Sequence, residues 1–518
     1  MTIGSTCVLP DDVLLEIFNI YLDQAGDIEA WHALVHVCRQ WRRVVFASPL
    51  RLDLRLLCRP KRSVATTLGI WPIVPIVVDF VAKGTRPRGM RNISAALKQH
   101  NRVCSINVGN IPNSLLKKFA AITKPFPTLT ELKISSWDKT VPVISDSFLG
   151  GSTPQLRTLE LHGIPFPALG KLLLSTSNLV DLDLRKIPHS GYISPQAIVA
   201  GLGASRRIKK IALDFQSPQS WDDRVGWNPP PLARIVLPTL TRLVFKGDSQ
   251  YLEVIVSRID APLLDSLEIT FFNQLMFDTP LLGQFVGRTG TFMAIHRADV
   301  DFYDLGVHIT LGQRKETFHD PTLTLIILCK QPDWQLSSIA QVCNSIIPPL
   351  PTLEKLCIGK SSFPRSQWYD DMENAEWIEL LQPFTCVKDL VLSERFVPLV
   401  VPSLQELDEE RVTQTLPVLQ DLSLEGPQSS GAIREAMETF IAARQLSGHP
   451  VTINEAYIPF FSPVPLPLAG PGPMTDFFDV SEVFGNTSGD FSFDADALGD
   501  MDLFFDPSAV LDAEPLDK

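Results

Sequence analysis

A short phrase, Pro-x-Leu-x-x-Leu-x-(Leu/Ile), recurs through the middle of this 518-residue chain and limits its fold more than any other feature. It reads Pro127-Thr128-Leu129-Thr130-Glu131-Leu132-Lys133-Ile134, then Pro154-Gln155-Leu156-Arg157-Thr158-Leu159-Glu160-Leu161. Further copies open at Pro238 (ending in Phe245), Pro262, Pro351 and Pro417, and copies without the proline run Leu179–Leu184, Ile208–Leu213 and Val387–Leu392. Nine copies in one order exceed what leucine content alone produces. The stretch from about 125 to 425 therefore predicts a repeat array, in which each unit covers its apolar side chains only by stacking on its neighbours.

Each copy predicts one strand, because Leu132-Lys133-Ile134 alternates apolar and polar and a strand sends successive side chains to opposite faces. Leu169–Ser177 and Gln335–Ser345 have the helical period required of the return segments. Between Ile269 and Leu353, Asp301–Leu311 and Leu323–Cys329 read as further strands, and Gly431–Gln445 reads as a helix capping the end of the core. Residues 51–124 contain strand candidates at Arg51–Leu57, Ile73–Phe80 and Arg102–Val108, fitting either degenerate repeats or a small separate domain.

If the strands are parallel, their outward positions form a ladder across one concave face. Lys133, Glu160, His162, Asp183, Arg185, Asp214, Lys246 and Glu268 are the candidate substrate-binding positions on it. The ladder mixes both charge signs, which suits a polar protein surface better than a phosphate backbone. Taken singly, any of these side chains reads as an ordinary solvated residue; the surface as a whole reads as a recognition face.

The first fifty residues have a different grammar. Leu9-Pro10 opens a helix, Asp11 and Asp12 suit its positive end, and Val13, Leu14, Ile17, Phe18, Tyr21 and Leu22 recur at three- and four-residue spacing. A second helix is expected to carry Trp31, Leu34, Cys38, Trp41 and Val45 on one face. Two helices this short cannot bury all that apolar surface between themselves, so some of it needs a partner.

These residues resemble an F-box, through Leu9-Pro10, the Ile17-Phe18 pair and the block Leu34-x-x-Val37-Cys38-x-x-Trp41-Arg42. The insert Asp23–Glu29 is longer than a minimal F-box loop. The resemblance implies docking on a Skp-family adaptor, and through it a cullin, by Leu9, Pro10, Val13, Leu14, Ile17, Phe18, Leu34, Val37, Cys38 and Trp41. The repeats resemble leucine-rich repeats of variable length, and the two together resemble the irregular fungal substrate receptors of SCF-type ubiquitin ligases. The expected α/β fold is thus F-box helices (5–50), a connecting segment (51–124), a leucine-rich-repeat solenoid with parallel strands on its concave face and a helical cap (125–450), and a linker with a disordered tail (451–518). Such a receptor supplies no catalytic group, binds neither nucleic acid nor membrane and needs no cofactor. The F-box is expected to be removable without unfolding the repeats.

Charge and composition narrow the alternatives. From Val451 onward there are thirteen acidic residues and one lysine, so the whole net charge of −12 resides in the tail and the first 450 residues balance at 45 of each sign. The tail sets aromatics among acids, as in Asp476-Phe477-Phe478-Asp479 and Asp502-Leu503-Phe504-Phe505-Asp506. That composition resembles acidic activation segments that fold onto a partner groove, and equally a solubilising tail. It supports a competing reading of the chain as a scaffold or transcription-linked adaptor that recruits partners through the tail.

Eight cysteines at 7, 38, 58, 104, 329, 343, 357 and 386 form no C-x-x-C or zinc spacing, and His32 and His36 lack further ligands. No P-loop, G-x-S-x-G or H-E-x-x-H pattern is found; Gly201-Leu202-Gly203-Ala204-Ser205 lacks a phosphate-loop lysine. Asp11 and Asp12 interrupt any leader-like apolar run, and Leu68–Ala82 is too short to span a bilayer and contains two prolines and Asp79. These features predict an intracellular, reducing setting, in cytoplasm or nucleus.

Overall fold

The computed structural model describes residues 9–59, 68, 74–81, 87–138, 140–218, 234–303, 305–313, 321–329, 331–359, 374–407, 411–425 and 431–455. All of these belong to one compact unit, Met1–Ile458; the acidic tail and its proline-rich linker lie outside the described residues.

Strands are numbered along the chain: β1 (Leu56–Cys58), β2 (Ile76–Val81), β3 (Val103–Gly109), β4 (Glu131–Ser135), β5 (Thr158–His162), β6 (Asp181–Ile187), β7 (Lys210–Phe215), β8 (Ile235–Val236) and β9 (Arg242–Gly247). The rest are β10 (Ile259–Asp260), β11 (Ser266–Phe271), β12 (Arg297–Tyr303), β13 (Gly306–Gly312), β14 (Thr322–Leu328), β15 (Lys355–Ile358), β16 (Asp389–Leu392), β17 (Asp421–Leu424) and β18 (Thr452–Glu455). Sixteen of them form one sheet in the order β1-β2-β3-β4-β5-β6-β7-β9-β11-β14-β13-β12-β15-β16-β17-β18, and β8 and β10 pair separately. Every copy of the repeated phrase becomes a strand of the large sheet. β1, β2 and β3, from the connecting segment, pair in parallel with one another and with β4.

The phrase has a physical reading residue by residue. Its first leucine, as at 129, 156, 240 and 264, is fully buried beneath the turn that enters the strand. The next two alternate apolar positions point into the core, giving strands such as β4 and β5 a buried residue at every second place. Where the residue after proline is threonine, its hydroxyl donates to a carbonyl of the preceding unit: Thr128 to Val103 at 3.0 Å, Thr239 to Ile208 at 2.8 Å and Thr352 to Ile295 at 2.8 Å.

Two expectations about the repeat region need correction. Asp301–Leu311 is not one strand but the hairpin β12–β13, antiparallel, with β13 also antiparallel to β14. Alternating apolar residues continue through both strands, so periodicity alone did not reveal the turn between Tyr303 and Gly306. The helix at Gly431–Leu446 is not the last element either, since β18 follows it and pairs in parallel with β17. β18 has only the short polar text Thr452-Ile453-Asn454-Glu455 and none of the repeated phrase.

The helices on the other side pack closely where glycine allows it. A Cβ on Gly283 would meet the Ser345 carbonyl oxygen at 2.2 Å, so the helices Pro280–Arg288 and Pro332–Ile346 touch through backbone there. At the N-terminal end lie α1 (Asp11–Ala25), α2 (Trp31–Val37) and α3 (Arg39–Ala47). The expected single second helix is broken at Cys38, whose extended backbone (φ −156°, ψ 174°) starts α3. Leu14, Phe18, Trp31, Val35 and Val45 share one core with Leu54 and Leu56 at the first strand, so these helices cover the open end of the solenoid.

Candidate functional site

Two surfaces remain open. On the first, α1 has two apolar faces. Leu14, Leu15 and Phe18 turn inward, Phe18 meeting the Trp41 ring at 4.8 Å. Val13, Ile17 and Tyr21, each one helical turn after the last, and Leu9 just before the helix stay 40–46% exposed, with Ile20 beside them at 56%. Val37 is 58% exposed and Cys38 is exposed, both at the break between α2 and α3. The break is tied by Arg42, whose Nε donates to the Val35 carbonyl at 2.9 Å. Gln40 donates to the Leu9 carbonyl at 3.1 Å and fixes the start of α1 against α3. The Trp31 indole N–H donates to the Arg55 carbonyl at 2.9 Å, anchoring the three helices to the chain that enters β1.

Of the expected adaptor-binding residues, Leu9, Pro10, Val13, Ile17, Val37 and Cys38 are exposed. Leu14, Phe18 and Leu34 are corrected to core residues, at 1%, 0% and 5% exposure, because a stripe read from spacing alone does not say which edge of the helix faces inward. Trp41 is half-buried on Phe18. Ile20 and Tyr21 belong to the open face and were absent from the expected set.

The second surface is the strand face. Register places Asn107, Lys133, Glu160 and Asp183 in one row, with Ser135, His162 and Arg185 in the next. Lys133 lies 3.1 Å from Glu131 and 2.9 Å from Glu160. Arg242 pairs with Glu268 at 3.1 Å, Arg185 with Asp183 at 2.9 Å and Lys246 with Asp214 at 3.5 Å. All eight expected positions do share one face, but six of them are committed to one another in ion pairs and a seventh, Glu268, to Arg242. Partly exposed pairs of this kind add little stability; their main effect is to hold the face in one arrangement.

His162 is the exception. Burial, then Lys186 and Arg185, push its imidazole down to about 4, so it is neutral near pH 7. Its ring lies 4.4 Å from that of Trp137, which is 56% exposed, and the Lys186 ammonium sits 4.3 Å above the same indole. Neither Trp137 nor Lys186 was predicted. Strict alternation sends Lys186 inward, but a register shift between Leu184 and Ile187 turns it out. A lone tryptophan in the polar text Ser135-Ser136-Trp137-Asp138 was the available signal.

Among the described residues there is no group of histidine, cysteine and acidic side chains placed to hold a metal, and no helix long and apolar enough to cross a membrane. Residues 6–55 match a family profile described as F-box-like. The chain is also similar to the crystal structure of the leucine-rich repeat-containing protein LegL7 from Legionella pneumophila, at 13% identity and a TM-score of 0.23, over 72% of this chain and 98% of that one. No curated protein matches. The molecule thus joins an F-box-like domain to a sheet-and-helix solenoid of the leucine-rich-repeat kind, the strand pairing itself defining the second part.

Proposed function

We propose that this protein is the substrate-recognition subunit of an SCF-type cullin-RING ubiquitin ligase, of the irregular kind found in fungi. The open stripe of Val13, Ile17 and Tyr21 on α1, continued by Leu9 before it, docks on a Skp-family adaptor, which ties the chain to a cullin. The strand face holds a protein substrate. The chain is non-catalytic: it acts by raising the effective concentration of substrate lysines near the charged conjugating enzyme.

The observation that carries this reading is an apolar stripe left open on a helix whose opposite face is already in the core. A monomer gains nothing from four exposed apolar residues in register, whereas a partner groove buries them together. The test is co-purification of the intact chain with a Skp-type adaptor, against a Leu9→Ala, Val13→Ala, Ile17→Ala variant whose unfolding midpoint is measured in parallel. Binding lost in a still-folded variant supports the reading. If the intact chain captures no adaptor the reading falls, and the acidic tail becomes the segment to test for recruitment.

A further inference from the structure

The corner formed by Trp137, His162 and Lys186 is built by unusual backbone. Lys186 has φ +49°, a region non-glycine residues seldom enter, and sits in the register shift between Leu184 and Ile187. A bulge adds a residue to one strand and re-aims a side chain; here Arg185 and Lys186 both leave the core in succession. On the next strand Asp214 lies beside the bulge and pairs with Lys246 at 3.5 Å. Also next to the bulge, Gly163 has φ +66°, and a Cβ there would meet the Ser136 carbonyl oxygen at 2.4 Å. That close approach brings the chain at 136–137 over β5 and sets Trp137 against His162. Two strained or glycine-dependent positions therefore converge on one exposed cluster, and such strain gathers where a surface has work to do.

The cluster has uncommitted binding capacity. The His162 Nε2 is shielded from solvent and has no hydrogen-bond partner. Lys186 makes no ion pair among the described residues; its ammonium rests on the exposed indole. The neighbouring charges are spoken for: Arg185 by Asp183, Lys133 by Glu131 and Glu160, and Lys246 by Asp214. Asp138 accepts the backbone N–H of Asn113. A single anionic group finds a cation here, with an unpaired ring nitrogen covered beside the indole, while a second one alongside meets Glu160, Asp183 and Asp214.

We infer that this corner is the specificity point of the strand face and takes one anionic side chain of a protein substrate, a carboxylate or a phosphorylated hydroxyl, with a neighbouring apolar residue on the open edge of Trp137. This rests on the strand face being the substrate-holding surface. Lys186 supplies the charge, and the indole holds the ammonium in place beside the unpaired His162 ring. An acidic run is disfavoured by the three carboxylates nearby.

The experiment is an array of short synthetic peptides probed with the full-length chain. Each peptide carries a central Asp, Glu, phosphoserine, Asn or Ser in varied apolar contexts. Capture of the anionic peptides about tenfold above their neutral counterparts is expected, equivalent to about 1.4 kcal/mol. The preference is expected to vanish in Lys186→Asn, which tolerates the left-handed backbone, and to persist in Lys186→Arg, with both variants unfolding at the native midpoint. The carboxylate and phosphate arms tell the two sources apart. Equal capture of charged and neutral peptides, no capture of any, or an unchanged preference in Lys186→Asn overturns the inference. Adaptor binding with no anion preference sinks this inference alone; an anion preference without adaptor binding sinks the ligase reading alone.

Discussion

Replacing Glu253 with glutamine should make the protein's stability less sensitive to pH. Glu253 lies on the helix Ser249–Val256, is 8% exposed, and accepts the backbone N–H groups of Leu281 at 2.9 Å and Leu282 at 2.6 Å. It thus caps the next helix, Pro280–Arg288, whose first turn would otherwise leave those donors unpaired. Burial raises its carboxyl from 4.5 to about 7, outweighing those two hydrogen bonds, and Asp278 adds to the rise. The folded chain therefore keeps a proton that the unfolded chain has released throughout that interval, and stability from this group falls as pH rises through it. At about 1.4 kcal/mol per pH unit, the loss is about 3 kcal/mol once Glu253 is fully ionised. Glutamine keeps one acceptor and never ionises. Urea unfolding of both chains at about pH 5 and about pH 8 should show the native protein losing about 2.5 kcal/mol relative to Glu253→Gln, most of the full effect. The comparison matters because His162, pushed down to about 4, acts in the opposite sense and raises native stability between there and 6.5; it is common to both chains and cancels. Identical pH dependence in the two proteins would refute the reasoning.

Neighbouring positions on α1 should separate core from contact: Phe18→Ala is expected to cost about 3–5 kcal/mol of stability, while Ile17→Ala stays within about 0.5 kcal/mol and weakens adaptor capture, read by denaturation and pull-down. Gly283→Ala forces the helices Pro280–Arg288 and Pro332–Ile346 apart and should cost about 1–3 kcal/mol, seen as faster amide exchange in both. Iodoacetamide with peptide mapping should modify Cys38 before the buried Cys343, whose thiol burial pushes up, and adaptor binding should shield Cys38. Deleting residues 1–50 should raise amide exchange in β1 and β2 while β15 to β17 stay protected, since Leu54, Leu56 and Val74 lose their cover; unchanged exchange in β1 would restore the helices to a freely removable module.

What the amino-acid order determined by itself is the repeat. Alternating leucines at fixed offsets from a proline leave a strand little choice, because shifting the register by one residue would turn leucines such as Leu132 and Leu159 into solvent. The helical character of the first fifty residues was legible for the same reason, as was the shared face of Lys133, Glu160 and Asp183. Tertiary structure decided the rest. The hairpin β12–β13 and the strand β18 depend on pairing with distant chain, which no local pattern records. Which half of the α1 stripe faces inward depends on Trp31, Trp41 and Leu56 arriving from elsewhere. Lys186 is outward only because a register shift between Leu184 and Ile187 breaks the period of two that sequence reading relies on.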